Sequence, residues 1–421
     1  MITSNSKICL AVMAMAFVIS SLITACTASG APTTTPKPTS VPATATPVPG
    51  SPTPVPPIKI GLLSPQTGPI AVYAPGFEDA ANLAVKHLNE SQKYYTFELI
   101  VADSGCDGTQ AATSAQSLVD SGVVGIAGAA CSGATLGAIA VAAPAQVLMI
   151  SYASTSPAIT TAKDDNYLYR VVPSDAQQAI ALAKIVSIKS SNPAIIYMTN
   201  DYGAGLGENF KAAWGGLCAE VGYDPTEGSY DASTLAQAVV DGGCDSVVLM
   251  SYATDGAAIM EELLAQGFSG ALYGADGLAD AAFVESFTDV EALDGLIATK
   301  PRPGEASTAK SDFESAYAAA GGNAEGIYTH ETYDAVKLIG LAKTVAEPDS
   351  TKVLGGVGGN LRKPLLGLAN PNVGGYLGAA GYHMFDTNGD VSGTGYEVCN
   401  FSGTSFSCPQ IWTSAGGIKD K

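Results

Sequence analysis

The sequence predicts an α/β protein built as two doubly wound lobes with mainly parallel sheets. Three observations predict it. Short apolar runs alternate with longer stretches that carry one apolar stripe at helical spacing, the pattern of strand–helix–strand units. The alternation breaks at Arg170-Val171-Val172-Pro173 and then restarts, so the body divides in two. The chain is 47% hydrophobic and carries 47 glycines, enough for real cores and for close packing of helix on strand. Its 421 residues allow two or three domains.

In the first half, 58–63 (IKIGLL) reads as a buried strand. Residues 76–89 read as a helix with Phe77, Ala80, Ala81, Ala84, Val85 and Leu88 on one face. Strand 97–102, helix 108–120, strand 123–128, a short helix near 135–145 and strand 148–151 follow. In the second half, helix 175–190 leads to strand 194–198, helix 205–220 and, after an irregular stretch, helix 233–241. Strand 246–250, helix 256–266 and strands 271–274 and 296–298 complete the pattern.

The N-terminus has a different composition. Residues 8–25 form an apolar run behind a single basic residue, Lys7, and read as a signal peptide spanning 1–25. About 18 apolar residues also reach the lower limit for a membrane span. The end of the run decides between them: Ile23-Thr24-Ala25-Cys26 looks like a bacterial lipobox, which implies cleavage before Cys26 and acylation of its thiol. Residues 27–57 are Pro, Thr, Ala and Ser with ten of the 24 prolines, too polar to bury a core. At ~3.1 Å per residue of extended chain such a segment reaches on the order of 90 Å, so 26–57 reads as a lipidated tether.

Charge and cysteine usage narrow the function. Asp and Glu outnumber Lys and Arg by 39 to 20, which leaves no basic footprint for nucleic acid. Three histidines without a cluster argue against a metalloenzyme or a His-based hydrolase, and no cofactor is implied. Beyond Cys9 and Cys26 six cysteines remain: Cys106, Cys131, Cys218, Cys244, Cys399 and Cys408. In an exported chain six imply three disulfides, with 15 connectivities open.

In open α/β sheets ligands bind beyond the carboxyl ends of the strands. The residues just after each strand are small, hydroxylic or aromatic: Ser64 to Tyr73, Ala129-Ala130-Cys131-Ser132-Gly133, and Ser151-Tyr152-Ala153-Ser154-Thr155. In the second half they are Asn200-Asp201-Tyr202-Gly203, Ser251-Tyr252 and Ala275-Asp276-Gly277. Hydroxyls, helix N-termini, one carboxylate and several tyrosines suit a small zwitterion, although Ser and Thr at such places also cap helices.

These segments carry a resemblance. GLLSPQTGPIAVYAPG (61–76), DSGCDGTQA (103–111), GIAGAACSGAT (125–135), MISYASTSPAIT (149–160), TNDYGAG (199–205) and YGADGLAD (273–280) match in order and spacing. Over 58 to about 395 the chain resembles the periplasmic branched-chain amino-acid-binding proteins of ABC importers, the leucine/isoleucine/valine type. The resemblance implies a type I periplasmic-binding-protein fold with three crossovers at a hinge. The N-terminal lobe would comprise 58–172 plus 299–378, the C-terminal lobe 173–298 plus 379–421. It also implies a Cys106–Cys131 disulfide; Cys218–Cys244, tying helix 205–220 to strand 246–250, and Cys399–Cys408, stapling a C-terminal hairpin, complete the expected set.

For the site, the resemblance implies that Ser132 and Thr155 bind an α-carboxylate, and that the Ala153 carbonyl and Thr155 hydroxyl take part of the ammonium. Asp276 stands where the family commonly has an acidic residue facing that ammonium. Tyr73, Tyr202, Tyr252 and Tyr328 fall where aromatic walls are expected. Ala130 stands in place of a bulkier Leu and Tyr328 in place of Phe, and both changes reshape the side-chain pocket. The implied partners are a small amino acid and the permease subunits of an ABC transporter, with the membrane met only through the lipid anchor. The rival readings are another small ligand (a short amide, urea or an aromatic acid) or a ligand sensor for a membrane partner.

Three motifs read as decoys. Gly203-Ala204-Gly205-Leu206-Gly207 imitates a dinucleotide loop, but Glu208 occupies the last required glycine position. Asp386-Thr387-Asn388-Gly389-Asp390 imitates a calcium loop without its later glycine and glutamate, and reads as a turn. His87 reads as a surface residue, and His330 and His383 have no partner at readable spacing. With no GxSxG and no paired base and nucleophile, an enzyme is the weakest reading.

Overall fold

The computed structural model describes residues 56–226, 228–324, 326–346, 361–370, 372, 374–393 and 395–421. The signal segment, Cys26 and the tether up to residue 55 lie outside the described residues.

Two sheets organise the body. The first contains β1 (Ile58–Ser64), β2 (Phe97–Asp103), β3 (Gly125–Ala127), β4 (Leu148–Ser151) and β5 (Leu168–Arg170), all parallel, in the order β2-β1-β3-β4-β5. The second is built on β6 (Pro193–Met198), β7 (Glu220–Tyr223), β8 (Ser246–Met250), β9 (Ala271–Gly274) and β10 (Ile297–Pro301). A small hairpin of β11 (Tyr376–Gly378) and β12 (Gly381–His383) stands apart from both sheets. Three antiparallel strands, β13 (Tyr396–Ser402), β14 (Ser405–Thr413) and β15 (Gly417–Asp420), extend the second sheet to the order β15-β14-β13-β10-β9-β8-β6-β7. Strands β3, β4 and β8 are buried at every residue, as expected of parallel strands covered on both faces.

Helices α1 (Ala74–Ser91), α2 (Gly108–Asp120), α3 (Ser132–Ala142) and α4 (Pro157–Thr160) connect the first sheet. Helices α5 (Asp175–Val186), α6 (Asp201–Trp214), α7 (Ala232–Gly242), α8 (Ala253–Ala265) and α9 (Ala281–Glu285) serve the second. The chain then returns through α10 (Thr308–Ala319) and α11 (Thr329–Ala346), which packs on α1, β3 and β4, and α12 (Arg362–Leu368) packs on α11. Several starts are fixed by side chains the sequence places there. Asp107 accepts from Thr109 N and Gln110 N, Ser174 from Ala176 N, and Asn200 from Gly203 N.

Every strand and helix expected over 58–298 is present, with ends shifted by a few residues. The expected helix 205–220 ends at Trp214, and the irregular stretch after it holds β7, an edge strand whose exposed positions break up any apolar run. The lobe boundaries need correction. Thr299–Pro301 continue β10, which pairs with β9 on one side and β13 on the other, so the crossover lies after Pro301 and not at 298. Residues 379–391 pack with the first sheet and not the second. Ala379 N and Ala380 N donate to Asp334 of α11, Phe385 lies 5.0 Å from Tyr169, and Gly389 O accepts from Arg170 N.

The disulfides are Cys106–Cys131, Cys218–Cys244 and Cys399–Cys408. The last joins β13 to β14 where the register shifts between Val398 and Asn400. The histidines are less idle than their spacing implied. His87 Nδ1 lies 2.8 Å from Tyr333 Oη, His330 meets Glu314, and buried His383 meets Asp334 at 2.7 Å, all through partners remote in sequence. Asp386 to Asp390 form a turn in which Asp386 accepts from Asn388 N and Asp390 N. Among the described residues no helix is long and apolar enough to cross a membrane.

Candidate functional site: a tyrosine-walled cavity between the sheets

The carboxyl ends of β1, β3 and β4 face those of β6, β8 and β9, and the loops beyond them enclose a cavity of about 50 Å³. The first-sheet side supplies Ile70, Tyr73, Phe77, Ala130, Ser132, Ala153 and Thr155, with Ile327 and Tyr328 from the approach to α11. The other wall supplies Tyr202, Tyr252, Asp276 and Gly277. All nine residues expected to bind ligand therefore line one space.

Asp276 is the centre of its polarity. The residue is 4% exposed, and its side chain caps no helix. Tyr202 Oη donates to Oδ1 at 2.7 Å and Tyr328 Oη donates to Oδ2 at 2.6 Å. Burial raises its pKa above the usual carboxylate value, while the two tyrosine hydroxyls pull it back down. Burial and the Asp276 charge in turn hold the Tyr202 and Tyr328 phenols well above 10, so both remain donors at neutral pH. Tyr328 reaches Asp276 from a left-handed backbone, φ 59°, a conformation that costs about 1–3 kcal/mol in a bulky residue and is concentrated at functional sites.

Tyr202 and Tyr252 stack with ring centroids 5.5 Å apart and planes 5° from parallel, forming one apolar wall with polar tips. Tyr252 Oη lies 3.8 Å from Cys106 Sγ, so the Cys106–Cys131 bridge touches the far wall as well as preceding Ser132. Ser132 opens α3, and its hydroxyl accepts from Ser156 N at 3.2 Å.

The other hydroxyls of the β3 and β4 loops hold the loops and do not face the cavity. Thr135 Oγ1, Ser151 Oγ and Ser154 Oγ all engage the Ala129 carbonyl, and Tyr152 Oη donates to Leu63 O. Arg170, fully buried, donates from Nη1 to the carbonyls of Ser154, Thr155 and Ser156, and from Nε and Nη2 to Asp390. The loop carrying Thr155 is thus pinned by a charge-assisted clamp.

Ile70 and Gly277 lie in the post-strand stretches without having been singled out for the site, and sequence reading missed Phe77 and Ile327 as lining residues. Phe77 was legible only as a helix-stripe residue, and Ile327 lies where no post-strand signal exists. Behind Thr155, Asp175 opens α5 completely buried, its backbone N–H donating to Thr155 O at 2.8 Å. The glycines that imitate a dinucleotide loop have other reasons. A Cβ on Gly203 would lie 2.3 Å from Met198 O, and one on Gly205 would lie 2.9 Å from Pro157 Cδ of α4. Among the described residues the one cluster of metal-ligand atoms, Glu397 with Cys399 and Cys408, has both sulfurs in a disulfide.

Two walls enclose the cavity, and its lining residues include no nucleophile with an adjacent base. The chain as a whole is similar to known proteins. The chain is 29% identical over 304 residues to the Leu/Ile/Val-binding protein BraC3 of Rhizobium johnstonii, covering 70% of this chain and 82% of that one. It is 26% identical over 304 residues to a leucine-, isoleucine-, valine-, threonine- and alanine-binding protein of Pseudomonas aeruginosa, covering 70% and 80%. Among solved structures, a leucine-binding protein of Thermotoga maritima superposes with a TM-score of 0.73 at 21% identity over 85% of this chain and 99% of that one. The branched-chain amino-acid transporter substrate-binding protein LivJ of Streptococcus pneumoniae, in complex with isoleucine, gives 0.71 at 23% over 83% and 98%. The fold is that of the type I periplasmic binding proteins. The model of the periplasmic binding protein family matches residues 57–355, and the chain belongs to that family.

Proposed function

We propose that this protein is an extracytoplasmic solute-binding lipoprotein that captures a small aliphatic amino acid between its lobes and delivers it to an ABC permease. The observation that carries the reading is a single buried carboxylate, Asp276, at the centre of a cavity whose remaining walls are tyrosines, small residues and hydroxyls. Asp276 and the Ala153 carbonyl take the ammonium. Ser132 and Thr155, at and beside the start of a helix, take the carboxylate. Ala130, Tyr73, Tyr202, Tyr252 and Tyr328 shape the side-chain pocket. The relatives named for leucine, isoleucine and valine support the same ligand class. Cys26 carries the lipid and 26–57 the tether. The first lobe runs 58–172 and resumes after Pro301, and the second runs 173–301 and resumes near β13.

At about 50 Å³ the cavity is far smaller than the roughly 300 Å³ or more of a typical ligand site, so entry requires the walls to part. Binding by hinge closure follows. Thermal-shift screening against leucine, isoleucine, valine, short amides, urea and aromatic acids tests the reading, since saturation at 1,000 Kd adds about 4 kcal/mol. Leucine, isoleucine or valine is expected to give the largest shift. Asp276→Asn is then expected to cost roughly 2–5 kcal/mol of affinity, because a buried ammonium loses its counter-charge. A larger shift with a neutral amide, or Asp276→Asn affinity within threefold of wild type, refutes it.

A further inference from the structure

The cavity shares one wall with open space. Four of its lining residues, Tyr73, Phe77, Ile327 and Tyr328, also line an open groove of about 820 Å³. The partition between the two spaces is therefore one side chain thick at these residues. Its substance is apolar. Phe77 is 2% exposed and packs on Tyr152 with ring centroids 5.0 Å apart. The Tyr328 hydroxyl is taken up by Asp276, which leaves the ring to form the partition. The groups assigned to the charged ends of the ligand, Ser132, Ala153, Thr155 and Asp276, line the cavity and not the groove. Polar recognition thus lies on the inner side, and the thin apolar wall lies between it and the groove. Beyond that wall the apolar surface continues. Val72, next to Tyr73, is 62% exposed and lines the groove, and Ala279, Ala281 and Ala282 line it from the second-sheet side. A lone exposed valine is ordinary on a protein surface, but this one carries the apolar surface outward from the partition.

We propose that cavity and groove are the inner and outer sections of one ligand site, and that the protein takes α-amino acids with unbranched apolar side chains longer than that of leucine. The ammonium and carboxylate stay in the cavity, and the end of the side chain passes through the partition into the groove, over Val72. This rests on the amino-acid reading above and extends it from short aliphatic side chains to long ones. A cavity sealed by backbone on every side would impose a length cut-off, because each methylene beyond the fit overpacks the site. A partition made of three rings and an isoleucine side chain parts by side-chain rotation, without the lobes separating. A methylene that crosses it meets apolar surface on the far side, where burial strengthens binding by up to about fourfold per methylene. Leucine, whose side chain is short and branched, engages the inner section alone.

The test is calorimetric titration of the full protein with L-leucine, L-norleucine and L-2-aminooctanoic acid, the last being two methylenes longer than norleucine. The affinity for 2-aminooctanoic acid is expected to lie within about threefold of that for norleucine, or to exceed it. A greater loss on that step, with leucine bound, is the length cut-off of a closed pocket and overturns the proposal, and this arm needs no variant to fold. Val72→Asp places a charge in the groove at an exposed position outside the cavity lining. It is expected to weaken 2-aminooctanoic acid at least about fivefold while leucine stays within about twofold of wild type. Equal effects on the two ligands overturn the proposal. Heat with a neutral amide and with none of the three amino acids refutes the amino-acid reading itself, and the proposal falls with it.

Discussion

Tyr328 and Asp276 are joined by a 2.6 Å hydrogen bond that crosses the cavity, from the approach to α11 on one side to the loop after β9 on the other. It closes one end of the space by linking a first-sheet helix to a second-sheet loop. Bonds to a charged group contribute about 1.5–3 kcal/mol. Tyr328→Phe keeps the ring and removes the link, so the ligand-free protein is expected to shift toward an open, larger form. Small-angle scattering reads this as an increased radius of gyration, and an unchanged curve would remove the latch role.

Gly205 on α6 sits where a methyl group would meet Pro157 Cδ at 2.9 Å and Ser156 Oγ at 3.0 Å, at the start of α4 among the first-sheet elements. Ala favours a helix interior over Gly by up to about 1 kcal/mol, so Gly205→Ala leaves the lobe itself as stable or more so. Closure is what it obstructs. Leucine affinity is expected to fall at least about tenfold, or 1.4 kcal/mol, while the melting temperature of the free protein does not drop. Parallel losses in both would point to damage within the lobe.

Arg170 bonds Asp390 through Nε at 2.7 Å and Nη2 at 3.0 Å, and Nη1 holds the carbonyls of Ser154, Thr155 and Ser156. Arg170→Lys keeps the charge but cannot serve a bidentate carboxylate and three carbonyls together. Breaking a buried pair costs about 3–5 kcal/mol, and the lysine is expected to recover only a small part of it. Urea unfolding measures the loss. A change below 1 kcal/mol would mean that the loop is held by its hydroxyl network alone.

Asp255, buried on α8, takes a hydrogen bond from Tyr223. Burial nonetheless pushes its carboxyl up to about 6 from 3.8. A folded pKa above the unfolded one means that the folded state holds the proton more tightly. The contribution is therefore complete below about pH 4 and is lost as pH rises through 6, by roughly 2–3 kcal/mol. Asp255→Asn is expected to flatten the stability profile between pH 4 and 6.5 relative to wild type. Parallel profiles in chemical unfolding at those pH values would contradict the assignment.

The alternation of strands and helices was readable because parallel strands buried on both faces, such as β3, β4 and β8, are continuous apolar runs, and their helices bury a single stripe. The post-strand loops were readable for a topological reason: whatever lies beyond the carboxyl ends of such strands faces the cleft. That is why Ser132, Ala153, Thr155, Tyr202, Tyr252 and Asp276 could be named in advance and meet in one cavity. What the sequence did not contain was the partner of each buried polar group. His383 finds Asp334 49 residues away, and Arg170 finds Asp390 220 residues away, across connections whose length carries no local signal. The edge strand β7 and the hairpin of β11 and β12 depend on neighbours rather than on their own apolar content. The division of the hydroxyls into those that line the cavity, Ser132 and Thr155, and those that brace the loops, Ser151 and Ser154, was likewise set by tertiary packing. Composition placed hydroxyls at the ends of the strands, but only the turn of each loop decided which of them meet the ligand space and which meet the Ala129 carbonyl.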